Sequence, residues 1–248
     1  MKIMLLCPTL NEREAMQVIM PQIDSKWVDE IVILDGGSTD GTVEYAKERG
    51  YKVITQQKPG LINAYRQVFS QMDADAVITF SPDGNSVSAV IPQVVEKLRE
   101  GYDMVIASRY LGDATSEDDT WASGWGNFVF TGLINVLFGG KYTDAMGIYR
   151  GYTRKVIQDC SLMEDFPWAI ENRIKNVVGV GLEPLLSMRA AKLKMKIAEV
   201  PGDEPARIAG EGKCRHYIYG FYYLYEMLQE TLFWKTPTQK QQKKKSKS

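Results

Sequence analysis

The sequence predicts an α/β protein, a mostly parallel sheet flanked by helices and followed by a C-terminal aromatic helix. Three observations predict it. Short apolar runs alternate with amphipathic stretches through residues 3–107, a regularity that implies parallel strands joined by crossover helices. The apolar runs lead into polar or acidic clusters, the position where open parallel sheets bind ligands. Residues 217–234 then gather a dense set of aromatic side chains in one helical stretch.

The elements follow in order. Apolar runs at 3–7, 30–34, 52–55, 76–80 and 104–107 read as buried strands, and 12–23, 42–49, 61–72 and 91–99 carry helical spacing. The clusters that follow strands are Pro8-Thr9-Leu10-Asn11-Glu12, Asp35-Gly36-Gly37, Ser81-Pro82-Asp83-Gly84-Asn85 and Ser108-Arg109-Tyr110. The second half is less regular. A Gly-, Ser- and Asp-rich loop over 112–127 carries Trp121 and Trp125 and is long enough to act as a lid. A helix is expected over 127–138, then helices near 153–160 and 168–178 and strands near 184–190 and 194–200. Residues 202–213 read as a second Gly/Pro-containing loop.

A chain of 248 residues, 44% hydrophobic and 25% charged, suits one large domain with a buried core and excludes a disordered or disulfide-stapled protein. The formal net charge of −1 hides an asymmetry. Residues 1–234 hold 24 basic and 31 acidic side chains, a formal −7, whereas residues 235–248 hold six lysines and no acid. Nucleic acid is therefore an unexpected partner for the folded body. Cys7, Cys160 and Cys214 lack metal-type spacing and suit a reduced, cytoplasmic protein, and the lone His216 cannot build a His-rich metal site. The apolar run 3–7 is too short for a secretory signal, and no stretch of 18 apolar residues spans a bilayer.

The glycines of Asp35-Gly36-Gly37-Ser38-Thr39-Asp40-Gly41 do not match a dinucleotide fingerprint, and neither a P-loop nor a Ser–His or Cys–His nucleophile is evident. Acids at successive strand ends suit a different chemistry, in which some hold a nucleoside while another binds a divalent ion that neutralises a diphosphate. Six motifs in order carry a family resemblance: Pro8 to Glu12, Leu34 to Thr42, Lys58-Pro59-Gly60-Leu61, Asp83, Ala107-Ser108-Arg109-Tyr110, and Thr143-Asp144-Ala145-Met146-Gly147. Together they resemble the family 2 glycosyltransferases of GT-A (Rossmann-like) fold, in particular the dolichol-phosphate mannose synthase branch of polyprenyl-phosphate sugar transferases. The resemblance covers roughly residues 1–215.

The resemblance implies a nucleoside-diphosphate sugar as donor and a divalent cation, Mg2+ or Mn2+, as cofactor. Pro8, Thr9, Asn11, Glu12, Asp35 and Gly37 would hold the base and ribose, and Lys58 and Gly60 would approach the nucleotide. Asp83, where the family's Asp-x-Asp metal motif ends, would bind the cation, with Asn85 as a further ligand. Arg109 would meet phosphate, and Arg207 and Lys213 resemble a basic loop closing over the diphosphate. Asp144 would stand near the sugar and act as catalytic base for a hydroxyl acceptor. Structural roles stay open beside these: Asp40 as a turn cap, Arg109 as a strand-end ion pair, Asp144 as a cap, and Glu12 as an acid favoured at a helix start.

Three departures qualify the pattern. Ser81 replaces the first acid of Asp-x-Asp, which weakens the cation site. The family's Gly-Phe-Arg becomes Gly147-Ile148-Tyr149-Arg150. Ser116-Glu117-Asp118-Asp119 stands where basic residues usually receive a lipid phosphate, and like charges repel. The expected activity is inverting transfer to a polyprenyl phosphate or surface glycan. The alternatives are a soluble or glycan hydroxyl acceptor, or a weakened nucleotide- or glycan-binding partner subunit. Residues 1–213 would form the GT-A domain, 214–234 the aromatic helix and 235–248 a disordered lysine-rich tail. The helix and lysines either hold the protein peripherally on an anionic membrane surface, or the helix packs on the core or on a second copy.

Overall fold

The computed structural model describes residues 1–164, 182–209 and 216–236. Among these, seven strands form one sheet: β1 (Ile3–Thr9), β2 (Glu30–Asp35), β3 (Lys52–Thr55), β4 (Ala76–Thr79), β5 (Met104–Ser108), β6 (Arg150–Thr153) and β7 (Ile197–Pro201). Their order is β3-β2-β1-β4-β6-β5-β7, and only β6 runs antiparallel to its neighbours. Because β2 and β4 flank β1 on opposite sides, the order reverses at the middle of the sheet, opening a crevice at the carboxyl ends of the strands.

Alternation along β1 sends Ile3, Leu5 and Cys7 into one apolar layer and Met4 and Leu6 into the other. The first layer packs against α1 (Arg13–Ile19), α2 (Thr42–Glu48) and α4 (Ile91–Arg99). The second packs against α3 (Leu61–Gln71), α5 (Trp121–Phe138), α6 (Arg154–Asp159), α7 (Leu182–Lys192) and α8 (His216–Leu232).

The five expected strands of the first half and their helices are present. The second half departs from expectation in three places. The expected strand at 184–190 is instead the helix α7, whose residues 182–191 are all buried. A helix buried on every side, with Glu183, Ser187 and Arg189 among its buried residues, presents no separate polar face whose period would betray it. Strand β6, not foreseen, is four residues with a buried arginine, and Gly151 within it admits α4: a Cβ there would lie 2.7 Å from Val94 and 2.8 Å from Leu98. Helix α5 begins at Trp121 rather than 127. Thr120 caps it by accepting from the Ser123 N–H (3.2 Å), while the Ser123 hydroxyl accepts from the Thr120 N–H (2.8 Å), so the loop expected to reach 127 ends at 120. The expected helix at 168–178 lies outside the described residues.

α8 is fastened to α7 by a buried bidentate ion pair, Arg189 Nε to Glu230 Oε2 (2.9 Å) and Nη2 to Oε1 (2.6 Å). Arg189 also stacks over the Trp234 ring, and Lys192 Nζ donates to the carbonyls of Glu230 (2.8 Å) and Trp234 (3.0 Å). One side of the aromatic helix therefore packs on the core.

Candidate active site

The segments after β1, β2, β3, β4, β5 and β7, together with the loop before β6, carry the expected residues that are described, in two groups. In the first, Thr9 is buried opposite Asp35 in the β1–β2 register. The Asp35 carboxylate, also buried, accepts the N–H groups of Gly37 (2.9 Å) and Ser38 (3.1 Å), so it closes its own turn. Gly37 sits at φ 100°, a conformation that favours glycine. Asn11, also left-handed at φ 56°, accepts from Thr39 N–H (2.8 Å) and donates its own N–H to Ser38 Oγ (2.9 Å), joining the two loops. Pro8 and Glu12 are half-buried on either side of this junction, and Glu12 donates its N–H to Thr42 Oγ1 (3.0 Å).

Asp40 accepts from the N–H groups of Arg13 (3.0 Å) and Thr42 (3.0 Å) and from Thr42 Oγ1 (2.5 Å), bracing the starts of α1 and α2. That is the capping role. Lys58 is exposed in the β3–α3 connection, and Gly60 opens α3 at φ 98°. The same connection touches the Asp35 turn through the Gln56 N–H, 2.8 Å from the Asp35 carbonyl. Lys213 lies outside the described residues.

The second group surrounds a cavity of about 250 Å³ lined by Asp83, Asn85, Arg109, Gly147, Glu204 and Arg207 among others. Asp83 Oδ1 accepts the Asn85 N–H (3.0 Å) and Oδ2 pairs with Arg207 Nη2 (2.8 Å). The residues between are pressed close: Gly84 has φ 101°, and a Cβ there would meet Ile208 at 2.7 Å. Asn85 donates to Asp118 (2.7 Å), which leaves its Oδ1 buried and without a hydrogen-bond partner. Arg207 Nε is likewise buried and unpaired.

Arg109 forms a bidentate pair with Asp144, Nε to Oδ2 at 2.7 Å and Nη2 to Oδ1 at 3.1 Å, and turns Nη1 to Glu204 at 3.2 Å. Asp144 is fully buried, and its Oδ1 also accepts the N–H groups of Met146 (3.1 Å) and Gly147 (3.0 Å). Burial works to raise the Asp144 carboxyl, but Arg109 and these donors hold it below the ordinary carboxylate value. Arg109 stays firmly protonated: burial opposes its charge, and Asp144 and Glu204 outweigh burial. The strand-end ion pair left open for Arg109 is present, with the guanidinium still lining the cavity.

Two partners, Glu204 and Glu199, were missed in the sequence, and two residues noted there, Asp118 and Arg150, take contacts that the sequence did not indicate. Glu204 balances Arg109 and accepts from Ser116, and its N–H donates to the Thr115 carbonyl (2.9 Å). Glu199 accepts the N–H groups of Thr143 (2.9 Å) and Asp144 (3.1 Å), fixing the loop that carries Asp144, and burial raises its carboxyl. Asp118 orients Asn85, and buried Arg150 donates to the carbonyls of Ala145 (3.2 Å) and Gly147 (2.8 Å). A signal existed for Glu204: Gly202-Asp203-Glu204 follows β7 as the other polar clusters follow their strands. The acidic residues 117–119 are partnered here, Glu117 with Ala206 N–H, Asp118 with Asn85 and Asp119 with the Tyr110 hydroxyl.

The carboxylates and guanidinium groups at Asp83, Arg109, Asp144, Glu204 and Arg207 gather on a Rossmann-like sheet with one antiparallel strand inserted beside β5. The architecture is the GT-A fold. A solved structure of glucosyl-3-phosphoglycerate synthase from Mycobacterium tuberculosis, with Mn2+, UDP and glucosyl-3-phosphoglycerate, shares it at a TM-score of 0.67 and 20% identity, over 93% of this chain and 79% of that one. The chain belongs to glycosyl transferase family 2, whose sequence profile matches residues 8–161. Glycosyltransferase AglJ of Haloferax volcanii is 28% identical over 198 residues, 79% of this chain and 61% of that protein. This chain thus spans less than two thirds of that relative. Dolichyl-phosphate hexose transferase of the same organism is 30% identical over 207 residues, 83% of each chain.

Proposed function

We propose that this protein transfers a sugar from a nucleoside-diphosphate sugar to a polyprenyl phosphate with inversion at the anomeric carbon. One observation carries the choice of acceptor. Both Asp144 oxygens are taken by Arg109 and its carboxyl is held low, which makes it a poor base. A hydroxyl acceptor needs its proton removed, whereas a phosphate acceptor is already ionised. In this reading a phosphate oxygen attacks the anomeric carbon, the bond from that carbon to the diphosphate breaks, and the nucleoside diphosphate leaves with the electron pair. The name of the Haloferax dolichyl-phosphate relative supports the same acceptor class.

The residues take roles accordingly. Pro8, Thr9, Asn11, Glu12, Asp35 and Gly37 cradle the nucleoside, with Lys58 and Gly60 beside them. Arg207 and Arg109 meet the diphosphate, and Lys213 belongs to the same basic segment. Asp144, in place of the base expected above, is a positioning residue that fixes Arg109. Asp83 and the orphaned amide oxygen of Asn85 would offer hard oxygen ligands, one of them anionic, to a Mg2+ or Mn2+ ion. Such an ion, when bound, neutralises charge on the departing diphosphate. Arg207, now on Asp83, must release that carboxylate for the ion to use it.

The lysines of 235–248 favour work at an anionic membrane surface. Radiolabelled UDP- and GDP-sugars, supplied with Mn2+ and either a polyprenyl phosphate or a free saccharide, test the reading. The expected product is an organic-extractable, acid-labile sugar phosphate. Label appearing only on the saccharide would overturn the acceptor assignment.

A further inference from the structure

Helix α5 contains no charged residue in 18 positions, yet it is not a core helix. Asn127, Thr131, Ile134 and Phe138 face inward, and Trp121, Trp125, Phe128 and Val136 repeat at spacings of three, four and eight on the opposite side. Trp121 is 84% exposed, Phe128 76% and Val136 82%. The two tryptophan rings lie nearly parallel, centroids 6.4 Å apart.

Helix α8 repeats the pattern. Glu230 is turned inward onto Arg189 and Met227 is buried, while Phe221, Leu224, Leu228 and Leu232 form an exposed apolar stripe. Phe130 of α5 meets Tyr223 of α8 edge to face, ring centroids 5.6 Å apart, so the two stripes lie on adjoining helices. An exposed apolar surface of this extent marks an interaction site.

We infer that the outer stripes of α5 and α8 form one face that seats the protein on an anionic lipid bilayer. Charge complementarity selects this occupant. The chain that continues from α8 carries six lysines and no acid over 235–248, which draws anionic headgroups toward the α8 stripe. Tryptophan prefers the boundary between hydrocarbon and water. The inference deepens the polyprenyl-phosphate reading and rests on it for its purpose. Trp121 follows directly on the loop whose Asp118 holds Asn85 in the cavity wall, 2.7 Å away, so the bilayer face begins beside the site.

Flotation of the full chain with vesicles of phosphatidylglycerol and phosphatidylcholine tests it, set against phosphatidylcholine alone. Three variants are compared: Trp121→Ser/Phe128→Ser on α5, Phe221→Ser/Leu228→Ser on α8, and a chain ending at residue 234. All the substituted side chains are exposed, and thermal melts establish that each variant folds. The full chain is expected to float with anionic vesicles, and each stripe variant to lose on the order of tenfold in partitioning. The shortened chain is expected to lose its preference for anionic over neutral vesicles.

No flotation of the full chain, or equal partitioning of the stripe variants, overturns the inference. So does a concentration-dependent dimer by sedimentation that the stripe variants abolish while still binding vesicles, because the face would then join two copies. Transfer to a short, water-soluble polyprenyl phosphate is scored in parallel. Flotation without that transfer defeats the acceptor reading alone, and transfer without flotation defeats the docking face alone.

Discussion

Replacing Asp144 with asparagine keeps the shape and removes the charge at the best-connected point of the site. The carboxylate has two arginine contacts, at 2.7 and 3.1 Å, and accepts two backbone N–H groups through Oδ1. An asparagine oxygen can replace Oδ1 and keep the Met146, Gly147 and Nη2 donors. Its NH2 then faces Arg109 Nε, donor against donor. One charge-assisted bond is lost, about 1.5–3 kcal/mol, together with the charge attraction of a buried pair, whose rupture costs about 3–5 kcal/mol in full. Arg109 retains Glu204 at 3.2 Å, which places the cost near the lower end, about 3 kcal/mol. For a chain of this length that corresponds to a fall in Tm of roughly 6–12 °C at pH 7.

The sign with pH follows from the direction of the shift. The folded carboxyl lies below its ordinary value of 3.8, so its contribution is complete above that value and vanishes as pH falls through the lower folded one. Thermal melts of both proteins from pH 7 downward should therefore converge in that acid window. A variant melting within about a degree of the parent at neutral pH, or a gap that persists in acid, would refute the reasoning. Sugar transfer should fall with the loss of Arg109 positioning, and nucleoside-diphosphate binding should fall less.

Arg207→Gln should weaken UDP or GDP binding by about 10- to 100-fold in calorimetric titration, the worth of one charged hydrogen bond to diphosphate; unchanged affinity would remove Arg207 from the donor site. Asp83→Asn should lower transfer on the order of a hundredfold and raise the Mn2+ concentration needed for half-maximal rate; an unaltered Mn2+ dependence would place the ion elsewhere. Glu230→Gln leaves Arg189 buried against a neutral partner, and the chain should melt roughly 10 °C lower. A Tm shift of a degree or less would mean that α8 is held by its apolar contacts.

The parallel half of the fold and its strand-end residues were legible because their signals are local. The inner strands of the first half are built on continuous apolar runs, and the edge strand β3 keeps only Val53 and Ile54 between exposed Lys52 and Thr55. Each helix has a polar face, and polar residues at a strand's carboxyl end lie at the crevice by topology. Helix α7 and strand β6 were not legible for the opposite reason. Burial on every side erases the period of α7, and β6 is polar, short and defined by its neighbours: Gly151 by α4, Arg150 by the carbonyls of Ala145, Gly147 and Glu183. The start of α5 was obscured by Gly124 and Gly126, which read as loop, although the Thr120 and Ser123 side chains cap a helix there.

The sequence by itself determined which residue types stand at the strand ends, that the charge of the body and of residues 235–248 differ in sign, and which family the motifs resemble. Those properties are fixed by order and composition along the chain. Only the tertiary structure decided how the groups pair. Arg109 meets Asp144 across 35 residues and Glu204 across 95, and no local rule selects those partners over nearer ones. The choice sets the chemistry of the site, because a carboxylate already occupied by a guanidinium in a buried, low-dielectric setting holds its charge and binds protons poorly.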